Sequence, residues 1–154
     1  MSSFECGFGR MEKFTVNDTD IRMILIKNPA GCNQVLNFMS NLSKPSLFIV
    51  ALTDKPADGT DVSWIWDVDF EKLNELSDML TGVWVTGDRA DDMAVRFKYA
   101  GIPVEKIKVI KDYSILIKEA VEQKDPVYIM PTYTGMLDIR EIFSKSYGFK
   151  EFWE

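Results

Sequence analysis

With 154 residues the chain has the length of one domain. At 46% hydrophobic and 27% charged it has enough apolar sequence for a single core and is not a disordered chain. It contains no histidine, which excludes a self-contained Ser-His-Asp or Cys-His triad and any His-ligated metal within these residues. Acidic residues outnumber basic ones by 24 to 18, for a net charge of −6 without basic runs, so neither nucleic acid nor an anionic membrane surface is expected as a partner.

Two cysteines, Cys6 and Cys32, are too few for a four-ligand zinc site and show no CxxC spacing. They read as reduced thiols of a cytoplasmic protein. The longest purely apolar run, Leu47 to Leu52, is far short of a membrane span, so no membrane insertion is expected. Met-Ser-Ser-Phe-Glu at the start has neither the basic nor the apolar region of a signal peptide.

Along the chain, strand alternates with helix. Phe14-Thr15-Val16 ahead of Asn17-Asp18 suits one arm of an antiparallel hairpin. Met23 to Ile26 is a short strand, broken by Lys27-Asn28-Pro29-Ala30-Gly31. Val35, Leu36, Met39 and Leu42 then follow at helical spacing. Leu47 to Leu52 has the continuous apolar character of a strand buried on both faces. Leu73, Leu76 and Leu80 predict a helix, with Asp69 as its N-cap before Phe70. Gly82 to Thr86 is the next strand, and Ala90, Met93, Ala94 and Phe97 mark a helix face that Gly101 and Pro103 close.

Ile107 to Ile110 and Val127 to Met130 are further strands, followed by helices headed by Asp112 and Thr134. Five strand-to-helix units predict an α/β fold in three layers, Rossmann-like, with helices on both faces of a mostly parallel sheet of about five or six strands. No repeat or linker divides the chain, so residues 1–154 are expected to form one domain.

In such a sheet, ligands collect at the carboxyl ends of the strands, where segments 27–34, 54–69, 86–92 and 131–135 fall. Lys27 to Gly31 reads either as an anion cradle at a helix N-terminus or as a turn that needs Pro and Gly. There is no Walker A motif and no GxGxxG. Segment 54–69 carries five aspartates and two of the four tryptophans in sixteen residues, more carboxylates than turn chemistry needs. Its Asp67-Val68-Asp69 invites comparison with aspartate-nucleophile phosphatases, but the motif does not follow the first strand and Glu71 stands where Thr or Val is usual. Arg89 and Lys98 are placed to meet an anion, while Asp92 and Arg96 are spaced to pair on a solvated face. Pro131-Thr132-Tyr133-Thr134 offers three hydroxyls, best read singly as an N-cap and an aromatic lid.

Five segments together carry a resemblance. They are Phe8-Gly9-Arg10; Lys27-Asn28-Pro29-Ala30-Gly31 with Asn33-Gln34; and Asp58 to Asp67 with its Ser-Trp-Ile-Trp-Asp block. Arg89 to Arg96 with Lys98-Tyr99-Ala100-Gly101, and Pro131 to Leu137, complete the set. Over roughly residues 8 to 143 the chain resembles the C-terminal domain of MurT-type proteins, the Mur-ligase-like subunits of lipid II isoglutaminyl synthases. Two positions depart from the pattern: Thr60 stands where arginine is common, and Met11 where glycine is common.

The resemblance implies one domain of a larger subunit whose N-terminal and P-loop domains are not in this sequence. Such subunits use ATP and Mg2+ to activate the α-carboxylate of D-glutamate in lipid II as an acyl phosphate. Ammonia from a GatD-type glutaminase partner then yields D-isoglutamine. The resemblance also implies that an aspartate of segment 58–69 completes the partner's Cys-His triad. A third triad member must be rigidly held and keep its charge. On that criterion Asp67, behind the Trp-Ile-Trp anchor, is placed first, Asp61 second and Asp58 third. Lys27, Asn28 and Arg89 are the implied nucleotide contacts in the assembled enzyme, with no metal ligand in this chain and no cofactor held tightly by it alone. The reading from another class is a stand-alone Rossmann-like domain that binds a nucleotide or small anion without catalysis.

Overall fold

The computed structural model describes residues 2–6 and 9–149, with side chains from residue 11 onward. Phe8 of the family pattern and the Cys6 thiol therefore lie outside the described part. A seven-stranded sheet runs in the order β1-β2-β3-β7-β4-β5-β6. Its strands are β1 Ser2–Cys6, β2 Gly9–Val16, β3 Thr19–Ile24, β4 Ser46–Ala51, β5 Leu80–Thr86, β6 Ile107–Val109 and β7 Val127–Pro131. From β3 to β6 every neighbouring pair is parallel, while β1 and β2 add an antiparallel edge. The sheet exceeds the expected five or six strands because β1 pairs with a β2 longer than Phe14 to Val16.

Asn17 and Asp18 both take positive φ, 51° and 68°, which gives the β2–β3 turn the twist of a two-residue hairpin. That hairpin also starts β3 at Thr19, four residues ahead of the apolar run that announces it. The five helices are α1 Pro29–Met39, α2 Glu71–Glu75, α3 Ala90–Tyr99, α4 Tyr113–Glu122 and α5 Tyr133–Tyr147.

Strand β4 shows why three layers form. Phe48 and Val50 point into a core shared with Leu36 of α1, Leu73 of α2 and Phe97 of α3. Leu47, Ile49 and Ala51 point into a second core with Leu116 and Ile117 of α4 and Ile139 and Phe143 of α5. All six residues of the strand are buried, as its unbroken apolar run requires.

Three local expectations are corrected. The helix expected through Leu80 ends at Glu75, because a 3-10 turn over Ser77–Met79 intervenes and Leu80 already begins β5. Its N-cap position is Phe70, and Asp69 makes no capping contact there. Thr132, not Thr134, is the N-cap residue of α5. Asp112, by contrast, caps α4 as expected, its Oδ1 accepting from Ile115 N–H at 3.0 Å.

Candidate functional site

β4 leads to α2 on one face of the sheet, and its neighbour β7 leads to α5 on the other. The carboxyl ends of two such strands open a crevice, the usual ligand position in an open α/β sheet. A connected polar network lies there. Thr53, just beyond β4, and Thr132, just beyond β7, are 3% and 2% exposed. Their hydroxyl oxygens stand 2.5 Å apart. Thr53 N–H donates to Thr132 Oγ1 at 2.9 Å, and Thr132 Oγ1 lies 3.2 Å from the Ala51 carbonyl. Thr134 Oγ1 continues the network, 3.0 Å from Thr53 Oγ1.

The network ends on Asp58. This residue closes the 3-10 turn Pro56–Asp58, and its Oδ2 accepts from Lys55 N–H at 3.0 Å. Thr134 donates twice, its N–H to Oδ1 and its hydroxyl to Oδ2, both at 2.7 Å. Burial pushes the Asp58 carboxyl up, but the donors from Thr134, Thr53 and Lys55 outweigh it and hold the group below its ordinary value. It is a half-buried, fixed anion.

Beside it is an open hollow of about 380 Å3 whose lining includes Thr53, Lys55, Asp88, Lys111, Tyr113, Thr134 and Asp138. Lys55 Nζ pairs with Asp88 at 3.3 Å. Burial, then the neighbouring carboxylates Glu141, Asp88 and Asp58, raise the Asp138 carboxyl against a smaller opposing effect of Lys55. Burial and the charges of Asp138, Asp88 and Asp58 likewise raise the Tyr113 phenol, which stays neutral.

The other aspartates of the segment differ in how they are held. Asp61 is fully exposed, and its Oδ1 accepts from Ser63 N–H at 2.9 Å in an Asx turn. The Ser63 N–H and hydroxyl hold the Asp61 carboxyl below its ordinary value. The Asp67 side chain is exposed and has no hydrogen bond or ion pair among the described residues. The tryptophans ahead of it divide: Trp64 is half-buried against the core, whereas Trp66 is 49% exposed. The Trp66 ring meets Tyr99 edge-on at 5.5 Å, and with Val95 these side chains form an apolar patch.

That patch sits on a buried cation. Arg96 does not pair with Asp92 on a solvated face as its spacing suggested. It turns inward, is 3% exposed, and donates to the carbonyls of Ile65 at 2.9 Å and Val68 at 2.6 Å. Asp92 instead meets Arg89, whose Nε lies 2.9 Å away.

The three expected nucleotide contacts are not brought together. Lys27 and Asn28 follow β3, and Arg89 follows β5. Two strands separate these in the sheet, a span of roughly 14 Å at the usual inter-strand spacing. Asn28 Oδ1 is used as the α1 N-cap, accepting from Gly31 N–H at 2.8 Å. Arg89 stands between Asp92 and Asp54, the latter at 3.8 Å. Lys27 is exposed and has no polar partner among the described residues. Also among the described residues, no three His, Cys, Asp or Glu side chains converge as a metal would need. No described helix is long and apolar enough to cross a membrane.

The joining of Asp58 to Thr53 and Thr134 was not visible in the sequence. Its partial signal was a threonine directly after each of the two central apolar strands, Thr53 and Thr132.

Comparison with known proteins gives these features a family. The family model described as MurT ligase C-terminal matches residues 25–136. The MurT subunit of the glutamine-hydrolysing lipid II isoglutaminyl synthase of Streptococcus pneumoniae is 35% identical over 139 residues, covering 89% of this chain and 30% of the relative. The corresponding subunit of Staphylococcus aureus strain COL is 33% identical, over 90% of this chain and 31% of the relative. The chain thus spans about a third of the length of these curated relatives. Among solved structures, folylpolyglutamate synthase of Thermotoga maritima superimposes with a TM-score of 0.54 at 18% identity, covering 88% of this chain and 30% of that one, a likeness of fold. The family model and these relatives agree: the chain belongs to the MurT ligase C-terminal family.

Proposed function

We propose that this chain is the C-terminal domain of a subunit that amidates the D-glutamate of lipid II in peptidoglycan synthesis. The subunit spends ATP with Mg2+ to make an acyl phosphate at the α-carboxylate. Ammonia released from glutamine by a GatD-type glutaminase displaces the phosphate to give D-isoglutamine. This domain docks the glutaminase and supplies the aspartate that its cysteine and histidine need. The assembly works in the cytoplasm, where ATP is available.

The observation that carries the reading is the fixed Asp58 carboxylate at the sheet's carboxyl edge, in a chain with no histidine of its own. A third triad member keeps an imidazole in one tautomer and stabilises its charged form, so it must be immobile and ionised. Asp58 meets both conditions most fully. Asp61 is held by one residue, and Asp67 by none of those described; both remain candidates that substitution separates. The exposed Trp66, Tyr99 and Val95 patch on the same side of the fold as segment 58–67 supplies apolar area for docking.

The residues present do not fit a complete nucleotide site. Asn28 is spent on its cap and Arg89 on two carboxylates, which leaves Lys27 as the free cation of the three. In this reading the P-loop and metal belong to the rest of the subunit, and this domain adds Lys27 and, after exchange of its ion pairs, Arg89.

Calorimetric titration of the chain with the glutaminase, and separately with ATP and Mg2+, tests the proposal. Docking of the glutaminase with no tight nucleotide binding is expected. Tight ATP binding without affinity for the glutaminase would favour a stand-alone nucleotide- or anion-binding domain.

A further inference from the structure

Taking Asp58 as the aspartate that orients the glutaminase imidazole, a premise carried over from the proposed function, we propose that Thr134 is its positioning residue and that Thr53 completes the support from behind.

A carboxylate on a surface turn rotates freely about two side-chain bonds unless both oxygens are held. Thr134 holds one oxygen with its backbone N–H and the other with its hydroxyl, so a single residue fixes the carboxylate plane. Each carboxylate oxygen accepts about two hydrogen bonds. Oδ2 accepts from the Thr134 hydroxyl and Lys55 N–H, and Oδ1 accepts from the Thr134 N–H.

The ionised carboxylate fixes the order of the hydroxyl proton next to it. An ionised carboxylate can only accept, so the single Thr134 hydroxyl proton goes to Asp58. The 3.0 Å contact between Thr134 and Thr53 is then carried by the Thr53 proton, which Asp58 also attracts, while the Thr132 proton has both the Ala51 carbonyl and Thr53 Oγ1 as acceptors. The result is a file of linked hydroxyls, Thr132 to Thr53 to Thr134, ending on Asp58, an arrangement that strengthens its members. Its two rear members are buried between β4 and β7, so the file is anchored in the sheet. Thr134 is not needed as a helix cap, because Thr132 occupies that position.

The test uses the full-length subunit assembled with its glutaminase, with kcat and KM for glutamine hydrolysis measured against pH. The charged and titratable groups around Asp58 are Lys55 of its own turn, Asp88 after β5, Lys111 ahead of the α4 cap, Tyr113 at the start of α4, and Asp138 of α5. Thr134→Val should lower kcat by about 10–100-fold, the usual cost of losing an outer partner of a reacting group. It should leave KM unchanged and move the acid limb of the profile to higher pH. Thr134→Ser should restore both to near the parent values, and Thr53→Val should give a smaller loss in the same direction. If Thr134→Val does not assemble, Thr53→Val tests the same file with both Thr134 contacts to Asp58 in place.

A Thr134→Val or Thr53→Val complex with the parent kcat and acid limb overturns the proposal. If Asp58→Asn still collapses the rate in that case, the role of Asp58 stands and only the positioning claim fails. An Asp58→Asn complex with the parent rate overturns the premise itself.

Discussion

Arg96 grips Glu71 with both arms of its guanidinium, Nη1 to Oε2 at 3.0 Å and Nη2 to Oε1 at 2.9 Å. The arginine is buried, while 53% of the glutamate side chain is exposed. The same guanidinium lies 5.2 Å from the Trp66 ring centroid and 5.4 Å from that of Phe70. One buried cation thus fastens the turn that carries the exposed aromatic patch.

Replacing that cation takes one donor each from the carbonyls of Ile65 and Val68, which keep only the Val68 and Phe70 N–H groups, and leaves Glu71 without its partner. Arg96→Met should destabilise the chain by about 2–4 kcal/mol, read from urea unfolding. The hydrogen bonds from Arg96 hold the Glu71 carboxyl below its ordinary value against a smaller opposing effect of burial. That stabilisation is complete above the unfolded glutamate value near pH ~4.3 and is lost as pH falls through the lower folded value. Glu71→Gln should accordingly flatten the fall in stability over that acid range.

Gly87, just past β5, has φ of 94°, and a Cβ there would stand 2.4 Å from the Leu52 carbonyl oxygen. Leu52 cannot yield, because its N–H is bonded to Thr86 and its carbonyl to Arg89 N–H. Gly87→Ala should cost more than about 2 kcal/mol and lower Tm measurably. An unchanged Tm would mean that the β4 and β5 loops are free to part.

Asp138 has the opposite sign to Asp58. Burial and the carboxylates around it raise its folded value, so ionising it costs stability as pH climbs through and above the unfolded value near ~3.9. Asp138→Asn should raise Tm at pH 7 and have no such effect near pH 3. Equal gains at both pH values would point to packing instead of charge.

Cys32 is buried in α1, and burial pushes its thiol up to about 12. Peptide-resolved alkylation at pH 8 should leave Cys32 unmodified in the native protein and modify it fully in denaturant. Rapid native alkylation would show that α1 opens locally.

The layered fold was legible because β4, β5 and β7 are short apolar runs buried on both faces, each followed by helical spacing. The second helix was misjudged because Leu73, Leu76 and Leu80 keep helical spacing while the backbone changes to a 3-10 turn and then a strand. Apolar spacing reports which side chains are buried, and several backbones can bury the same set. The block around Asp58, Asp61 and Asp67 was legible as unusual chemistry, but the order among its aspartates was not. What separates them is contact with Thr134, 76 residues away, and no local pattern reports such a partner. Arg96 misled for the same reason: its spacing to Asp92 was local, and its true partner Glu71 comes from another helix.

The central claim is that this domain completes its partner's active site with one fixed carboxylate. The most direct measurement is glutamine hydrolysis by the full-length complex carrying Asp58→Asn, Asp61→Asn or Asp67→Asn one at a time, each checked for intact assembly. The account predicts a loss of orders of magnitude for Asp58→Asn with the complex still formed, and far smaller effects for the other two. Parent activity in all three would contradict it.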